Sequence, residues 1–224
     1  MKFRIILFVM ALPLIGFSQE KKEKSKDPES GKIQLGMRTV VSAFSDSKYN
    51  GLGLGGQVRI KLASRLNTEW FADYITTNIE DYAYRTDYHI GWAVQYYPFN
   101  KETIKGKFTP YIEGGNCFDK TQVDLNESNG LTYYSAVKTL TRNSTAIHMG
   151  LGSCYNLSDN FDISLAAMYM LHIGRDIHTD IQKGPSDIPY VNLYKADAGL
   201  EGHLLINLSL NVNIGKLWGR EKKS

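Results

Sequence analysis

Residues 204–214 read Leu-Leu-Ile-Asn-Leu-Ser-Leu-Asn-Val-Asn-Ile, and the order of these residues decides the architecture. Leu204, Ile206, Leu208, Leu210, Val212 and Ile214 share one parity, while Leu205, Asn207, Ser209, Asn211 and Asn213 share the other. Successive side chains of a strand point to opposite faces, so this segment is a strand with one apolar and one mainly polar face. A helix would mix the two sets around its axis and bury asparagine wherever it buried leucine.

Seven upstream segments follow the same rule. Residues 32–43 set Ile33, Leu35 and Met37 against Gln34, Gly36 and Arg38; residues 52–62 set Leu52, Leu54, Val58, Ile60 and Leu62 against Gly53, Gly55, Gln57, Arg59 and Lys61. In 66–77, Trp70 and Tyr74 oppose Glu69 and Asp73, and in 84–97, Tyr88, Ile90, Trp92, Val94 and Tyr96 oppose Asp87, His89, Gly91 and Gln95. A fifth strand covers 107–118, with Pro110 near its end because proline removes a ladder donor. Residues 143–156 set Ile147, Met149, Leu151 and Tyr155 against His148, Gly150 and Gly152, and residues 160–174 set Phe161, Ile163, Leu165, Tyr169 and Leu171 against Asp162, Ser164 and His172.

Strands this long exceed the usual five or six residues of a soluble sheet and match the roughly nine to eleven tilted residues that cross a bilayer. The connections alternate in size, with long ones at 119–142 and 175–197 and short ones at 63–65 and 157–159. Short periplasmic turns and long outer loops are the habit of transmembrane barrels. With a periplasmic N-terminus, the segments 44–51, 78–83, 119–142 and 175–197 face outward. A soluble barrel would turn the apolar face inward, but the opposite face carries Gly36, Gly53, Gly55, Gly91, Gly115, Gly150, Gly152 and Gly199 among its polar groups. The interior of eight strands is only wide enough for side chains, so the small-residue face fits inside and the bulky face fits lipid. Trp70, Trp92, Tyr96, Tyr155 and Trp218 suit interfacial girdles. The expected fold is an all-β, eight-stranded antiparallel up-and-down transmembrane β-barrel over residues 32–218.

The termini read differently. Residues 1–19 have a basic start at Lys2 and Arg4, an apolar centre from Ile5 to Phe17 and a polar exit at Ser18-Gln19, the pattern of a secretory signal peptide. Residues 20–31 are a charged, flexible tail that buries nothing, and 219–224 are a short C-terminal tail. The 224-residue chain has 26 Lys and Arg against 23 Asp and Glu, a balance with no nucleic-acid footprint. No run of eighteen apolar residues exists, which excludes a helical span and leaves a barrel open.

Three stretches carry a likeness: the signal end Gly16-Phe17-Ser18-Gln19, the segment His89 to Phe99 closing on Tyr96-Tyr97-Pro98-Phe99, and Thr109-Pro110-Tyr111-Ile112-Glu113-Gly114-Gly115. In these the chain resembles the family of small outer-membrane proteins with an eight-stranded β-barrel domain, common in bacteria of the Bacteroidetes type. The resemblance implies a bacterial outer-membrane location and supplies no catalytic signature. The chain departs from the usual aromatic last residue, since six residues follow Trp218.

On the inward parity, Arg38, Arg59, Lys61 and Arg85 accompany Glu69, Asp73, Asp87, Glu113, Asp162 and Glu201. Mixed charges in so narrow a space form paired networks, because a lone buried charge is too costly, and Arg59 or Lys61 comes opposite Glu69. His148, His172 and His203 sit on consecutive inward faces, with Glu201 beside His203, and are the candidate metal ligands; His89 shares the inward parity. No nucleophile elbow, phosphate loop or His-x-x-x-His pattern appears, so no catalytic residue and no cofactor are expected. The expected function is a non-enzymatic integral outer-membrane barrel with a plugged polar lumen and two long outward loops for interaction. The alternatives are a narrow conduit or small-ligand carrier, and a membrane lipid-modifying enzyme. The expected partners are outer-membrane lipid and, through the loops, other outer-membrane or extracellular proteins, with no nucleic acid. Cys117 and Cys154 lie near opposite ends of adjacent strands, about 20 Å apart at the usual strand rise, and are expected to stay unpaired.

Overall fold

The computed structural model describes residues 29–44, 49–99, 106–128, 133–134, 136–184 and 187–218. The expected signal peptide 1–19, tail residues 20–28 and the expected C-terminal tail 219–224 lie outside the described residues. The strands are β1 (Lys32–Phe44), β2 (Asn50–Ala63), β3 (Leu66–Ile79), β4 (Ala83–Tyr96), β5 (Phe108–Leu125), β6 (Tyr133–Tyr134), β7 (Thr139–Asn156), β8 (Phe161–Lys183) and β9 (Pro189–Lys216). Eight of them are staves joined antiparallel in chain order, and β9 pairs with β1 to close the barrel. Closure leaves no open edge within the wall, which every strand in lipid requires.

The register measures the tilt of the staves. From Gln34 the facing residues run through Arg59, Glu69, Ala93, Gly115, His148, Met170 and His203, and return to β1 at Phe44. One circuit therefore ends ten residues further along β1 than it began. A stagger of that size tilts eight strands strongly against the barrel axis. Residues that face each other in register consequently stand at different heights in the lumen.

The two parities divide as the sequence predicts. Leu35, Met37, Leu52, Leu54, Ile90, Met149, Leu151, Leu165 and Leu208 are exposed, while Arg38, Arg59, Glu69, Asp73, Asp87, Glu113 and Asp162 are buried. A protein that hides its charges and exposes its leucines is turned outward toward lipid, so this is a transmembrane barrel. Among the described residues no helix is long and apolar enough to cross a membrane.

Two expectations about local structure are corrected. The segments 119–142 and 175–197, expected to be long loops, are mostly strand. β5 continues to Leu125 and β7 resumes at Thr139, while β8 continues to Lys183 and β9 resumes at Pro189. Alternation persists there, with Val123, Leu125, Ile177, Val191 and Leu193 buried, so the ladders rise past the lipid-facing band as two tall hairpins. Tyr133 and Tyr134 of β6 pair in parallel with Tyr190 and Val191 of β9. Trp70 and Trp92 face each other in β3 and β4, four residues in from the strand ends at the short turn. Tyr96, Tyr155 and Trp218 lie at or near strand ends beside the short turns, where Phe108 packs against Tyr155 with ring centroids 4.6 Å apart. Ser30 and Gly31 are tied to that end: Trp218 Nε1 donates to Ser30 Oγ at 3.0 Å, and Gly31 N donates to the Lys61 carbonyl at 2.7 Å.

Candidate functional site

The lumen is built in layers, because each inward parity changes chemistry along its strand. At the turn end a network grows around Arg59, whose side chain is 1% exposed. Its Nη2 donates to Glu69 Oε2 at 2.8 Å, and its Nη1 lies 3.5 Å from Asp162 Oδ1. The pairing of Arg59 with Glu69 follows from their register across β2 and β3. Arg38 adds contacts to Glu69 at 3.3 Å and Asp73 at 3.1 Å. Gln95 Nε2 donates to Glu69 Oε2 at 2.9 Å, and Asn211 Nδ2 donates to Asp162 Oδ1 at 2.7 Å. These bonds tie β1, β2, β3, β4, β8 and β9 across the interior.

An apolar belt lies above this network. Val40, Phe71, Ile75, Cys117, Ala146, Met168, Met170 and Leu205 are buried together. Cys154 belongs to the lower layer, packed with Tyr97, Tyr111 and Ala166. Both thiols are free and buried, and Cys117 faces Ala146, eight residues along β7 from Cys154.

Directly above the belt, three imidazoles converge. His89 of β4, His172 of β8 and His203 of β9 are fully or almost fully buried, and one nitrogen from each lies within 4.8 Å of the others. The Nε2 atoms of His172 and His203 are 2.7 Å apart. The outer nitrogen of each of these two rings meets an oxygen. His172 Nδ1 lies 2.6 Å from Asp119 Oδ2, and His203 Nδ1 is 3.0 Å from Ser42 Oγ. The Cys117 thiol donates to the other oxygen of Asp119 at 2.8 Å, holding that carboxylate still. Neither nitrogen of His89 has a hydrogen-bond partner; its Nε2 is 3.8 Å from Asp119 Oδ1.

One layer higher, Arg85 Nε donates to Asp87 Oδ2 at 3.0 Å, and Thr121 donates to Asp87 Oδ1 at 2.6 Å. Arg142 Nη2 donates to Glu201 Oε2 at 2.7 Å, and its Nη1 lies 3.0 Å from Asp176. Ile79, Ala83, Val123, Leu125, Ile177, Val191 and Leu193 then close the loop end, with Tyr49, Tyr82, Tyr134, Leu140 and Ile181 packed around them. At the rim the Tyr49 hydroxyl donates to Glu80 at 2.6 Å, which pushes its pKa up to about 12.

The structure thus joins two of the four expected metal ligands and separates the other two. His172 and His203 meet. His148 stands apart, its ring set edge-on against Phe71 at 5.7 Å, and Glu201 is taken by the two arginines. The tilt explains His148: it is close to His203 in the circuit of facing residues, yet each step round the barrel changes height. His89 completes the cluster from the far side of the lumen. Neighbouring strands could not reveal it, because β4 touches neither β8 nor β9 in the sheet.

No family model matches the sequence, and no curated protein matches it either. Similarity appears in three dimensions. The barrel superposes on Neisserial surface protein A with a TM-score of 0.55 at 11% identity, covering 81% of this chain and 96% of that one. It superposes on a major outer membrane protein from Thermus thermophilus with a TM-score of 0.52 at 11% identity, covering 81% of this chain and 99% of the other. Likeness at this identity establishes the fold, a closed eight-stranded antiparallel membrane barrel.

Proposed function

We propose that the chain is a non-enzymatic protein of the bacterial outer membrane whose lumen is a plug and whose tall hairpins meet other outer-membrane or extracellular proteins. The resemblance of 89–99 and 109–115 to the Bacteroidetes-type barrel family supports the same placement. The carrying observation is the layered lumen: side chains from facing strands bond across it from Asp162 at the turn end to Glu201 near the loop end. A barrel sealed in this way offers its ends, not its axis, to other molecules. At the loop end the hairpins β5–β7 and β8–β9 stand above the lipid-facing band, with Tyr190, Tyr194 and Val137 exposed. Aromatic residues that present a broad apolar face and a polar tip suit protein contacts. Outer-membrane lipid surrounds the wall, and the near-neutral composition gives nucleic acid no foothold.

Planar-bilayer recording tests the plug. The expected trace is free of sustained current, since eight strands leave room for side chains and little else. Stable ion-selective steps would overturn it and favour a narrow conduit. Protease added to intact cells tests the orientation, with cleavage expected only at the tips near Lys138 and Lys183; cleavage at Lys101 or Lys105 would invert the barrel.

A further inference from the structure

The three imidazoles each bring a nitrogen to within 4.8 Å of the others. We propose that His89, His172 and His203 form a buried transition-metal site for an ion of the zinc class, with Asp119 and Ser42 as the groups that orient the ligand rings.

Three features carry this. First, metal-bound histidines characteristically give one nitrogen to the ion and the other to a carboxylate, hydroxyl or carbonyl that fixes the tautomer. His203 Nδ1 is bonded to the Ser42 hydroxyl at 3.0 Å, His172 Nδ1 lies beside Asp119 Oδ2 at 2.6 Å, and the Nε2 atoms of both rings face each other. The Nε2 atoms share a hydrogen bond at 2.7 Å, which an ion replaces as the two rings part to about 3.3 Å; bound in this way, His172 keeps a proton on Nδ1 for Asp119, and His203 keeps one on Nδ1 to donate to the Ser42 oxygen. Second, His89 is 0% exposed and has no hydrogen-bond partner at either ring nitrogen. A buried polar group without a partner calls for a physical explanation, and an ion within reach of the other two rings supplies one. Third, this end of the lumen holds Asp87, Asp119, Asp176 and Glu201 against Arg85 and Arg142, so a dication enters an excess of negative charge.

The imidazole donors select the metal class. Nitrogen ligands suit zinc, copper, nickel and iron, while magnesium and calcium require oxygen. With belt, arginine layer and apolar cap enclosing it, the site loads as the barrel closes and exchanges slowly afterwards. The ion locks β4, β8 and β9 together across the lumen, which makes it a structural staple and not a cargo in transit.

The test is to refold the untagged chain from urea into detergent with Zn2+, desalt it and measure retained metal. The expected result is about one zinc per chain, with loss of stoichiometric retention in His89→Ala and His203→Ala and a ~10–100-fold weaker affinity in Asp119→Asn. His148→Gln, outside the cluster, retains zinc as the unaltered chain does. Heat-dependent gel migration reports whether each variant is folded. Should the ligand variants fail to fold, X-ray absorption on the unaltered chain decides, with a shell of three imidazole nitrogens expected. Refolded chain without retained zinc, an oxygen-only shell, or equal loss in His148→Gln would overturn the site.

Discussion

The lower and upper halves of the lumen solve the same problem with different chemistry. Around Arg59 the charged groups are deeply buried, and each guanidinium meets more than one oxygen from facing strands. Above the apolar belt, Asp176 and Glu201 beside Arg85 and Arg142 are partly open, each side chain 14% exposed, and the imidazole layer beneath them leaves His89 without a hydrogen-bond partner. The lower half is joined by guanidinium–carboxylate pairs that bridge its strands, whereas the upper half adds a layer of three imidazoles, of which His89 has no hydrogen-bond partner at either nitrogen. The difference teaches that a filled barrel interior is not uniform, and that one polar layer can hold the fold while another is shaped for a ligand.

The strongest way to break this contrast is to delete one charge from each half. Arg59→Ala removes the guanidinium that bridges the buried Glu69 and Asp162, and the expected cost is about 3–5 kcal/mol in urea-induced unfolding from detergent micelles. Arg142→Ala removes one of the two guanidinium groups from acids that water can reach, so its expected cost is smaller, about 1–3 kcal/mol. Equal costs would mean that the halves do not differ in solvent access.

Between the halves, Gly115 permits close contact of β4 and β5. A Cβ there would lie 1.9 Å from the Trp92 carbonyl oxygen and 2.8 Å from Ala93 Cα, so Gly115→Ala forces backbone apart at an expected cost of about 1–3 kcal/mol. Gly56 faces outward with its nearest obstacle at 3.7 Å, and Gly56→Ala is expected to change stability by less than about 0.5 kcal/mol. The same unfolding measurement ranks the pair; reversal of the order would place Gly115 outside the packed interior.

Cysteine chemistry sharpens the comparison with a smaller effect, because one thiol lies in the lower network and the other beneath the imidazoles. Denaturation without reductant should release two alkylatable thiols per chain, both unreactive before unfolding. A disulfide between Cys117 and Cys154 would contradict the register of β5 with β7.

The smallest expected effect is at the rim. Tyr49 has its pKa raised to about 12 by its bond to Glu80, so its contribution is complete below the ordinary tyrosine pKa of 10.0 and fades as pH climbs from there toward 12. Most of that group is open to solvent, and the stabilisation is held under about 0.5 kcal/mol. Phenolate absorbance of the native barrel and of Tyr49→Phe should differ only at the alkaline end of the titration; a difference near neutral pH would remove the bond from the rim.

Local sequence determined the staves. Leu204 to Ile214 alternates because a strand has only two faces, and the bulk of one parity against the glycines of the other decided which face met lipid. The pairing of Arg59 with Glu69 was legible because a short turn fixes the register of the strands it joins. The tall hairpins were also legible in Val123, Leu125, Ile177, Val191 and Leu193, but bilayer thickness suggested an earlier stop to the strands. Only closure could decide the imidazole site. Its three histidines come from strands far apart in the chain, and a stagger of ten residues per circuit brings His89, His172 and His203 to one level while carrying His148 away. Height in a barrel is the product of tilt and strand number, a property of the closed sheet that no single strand contains.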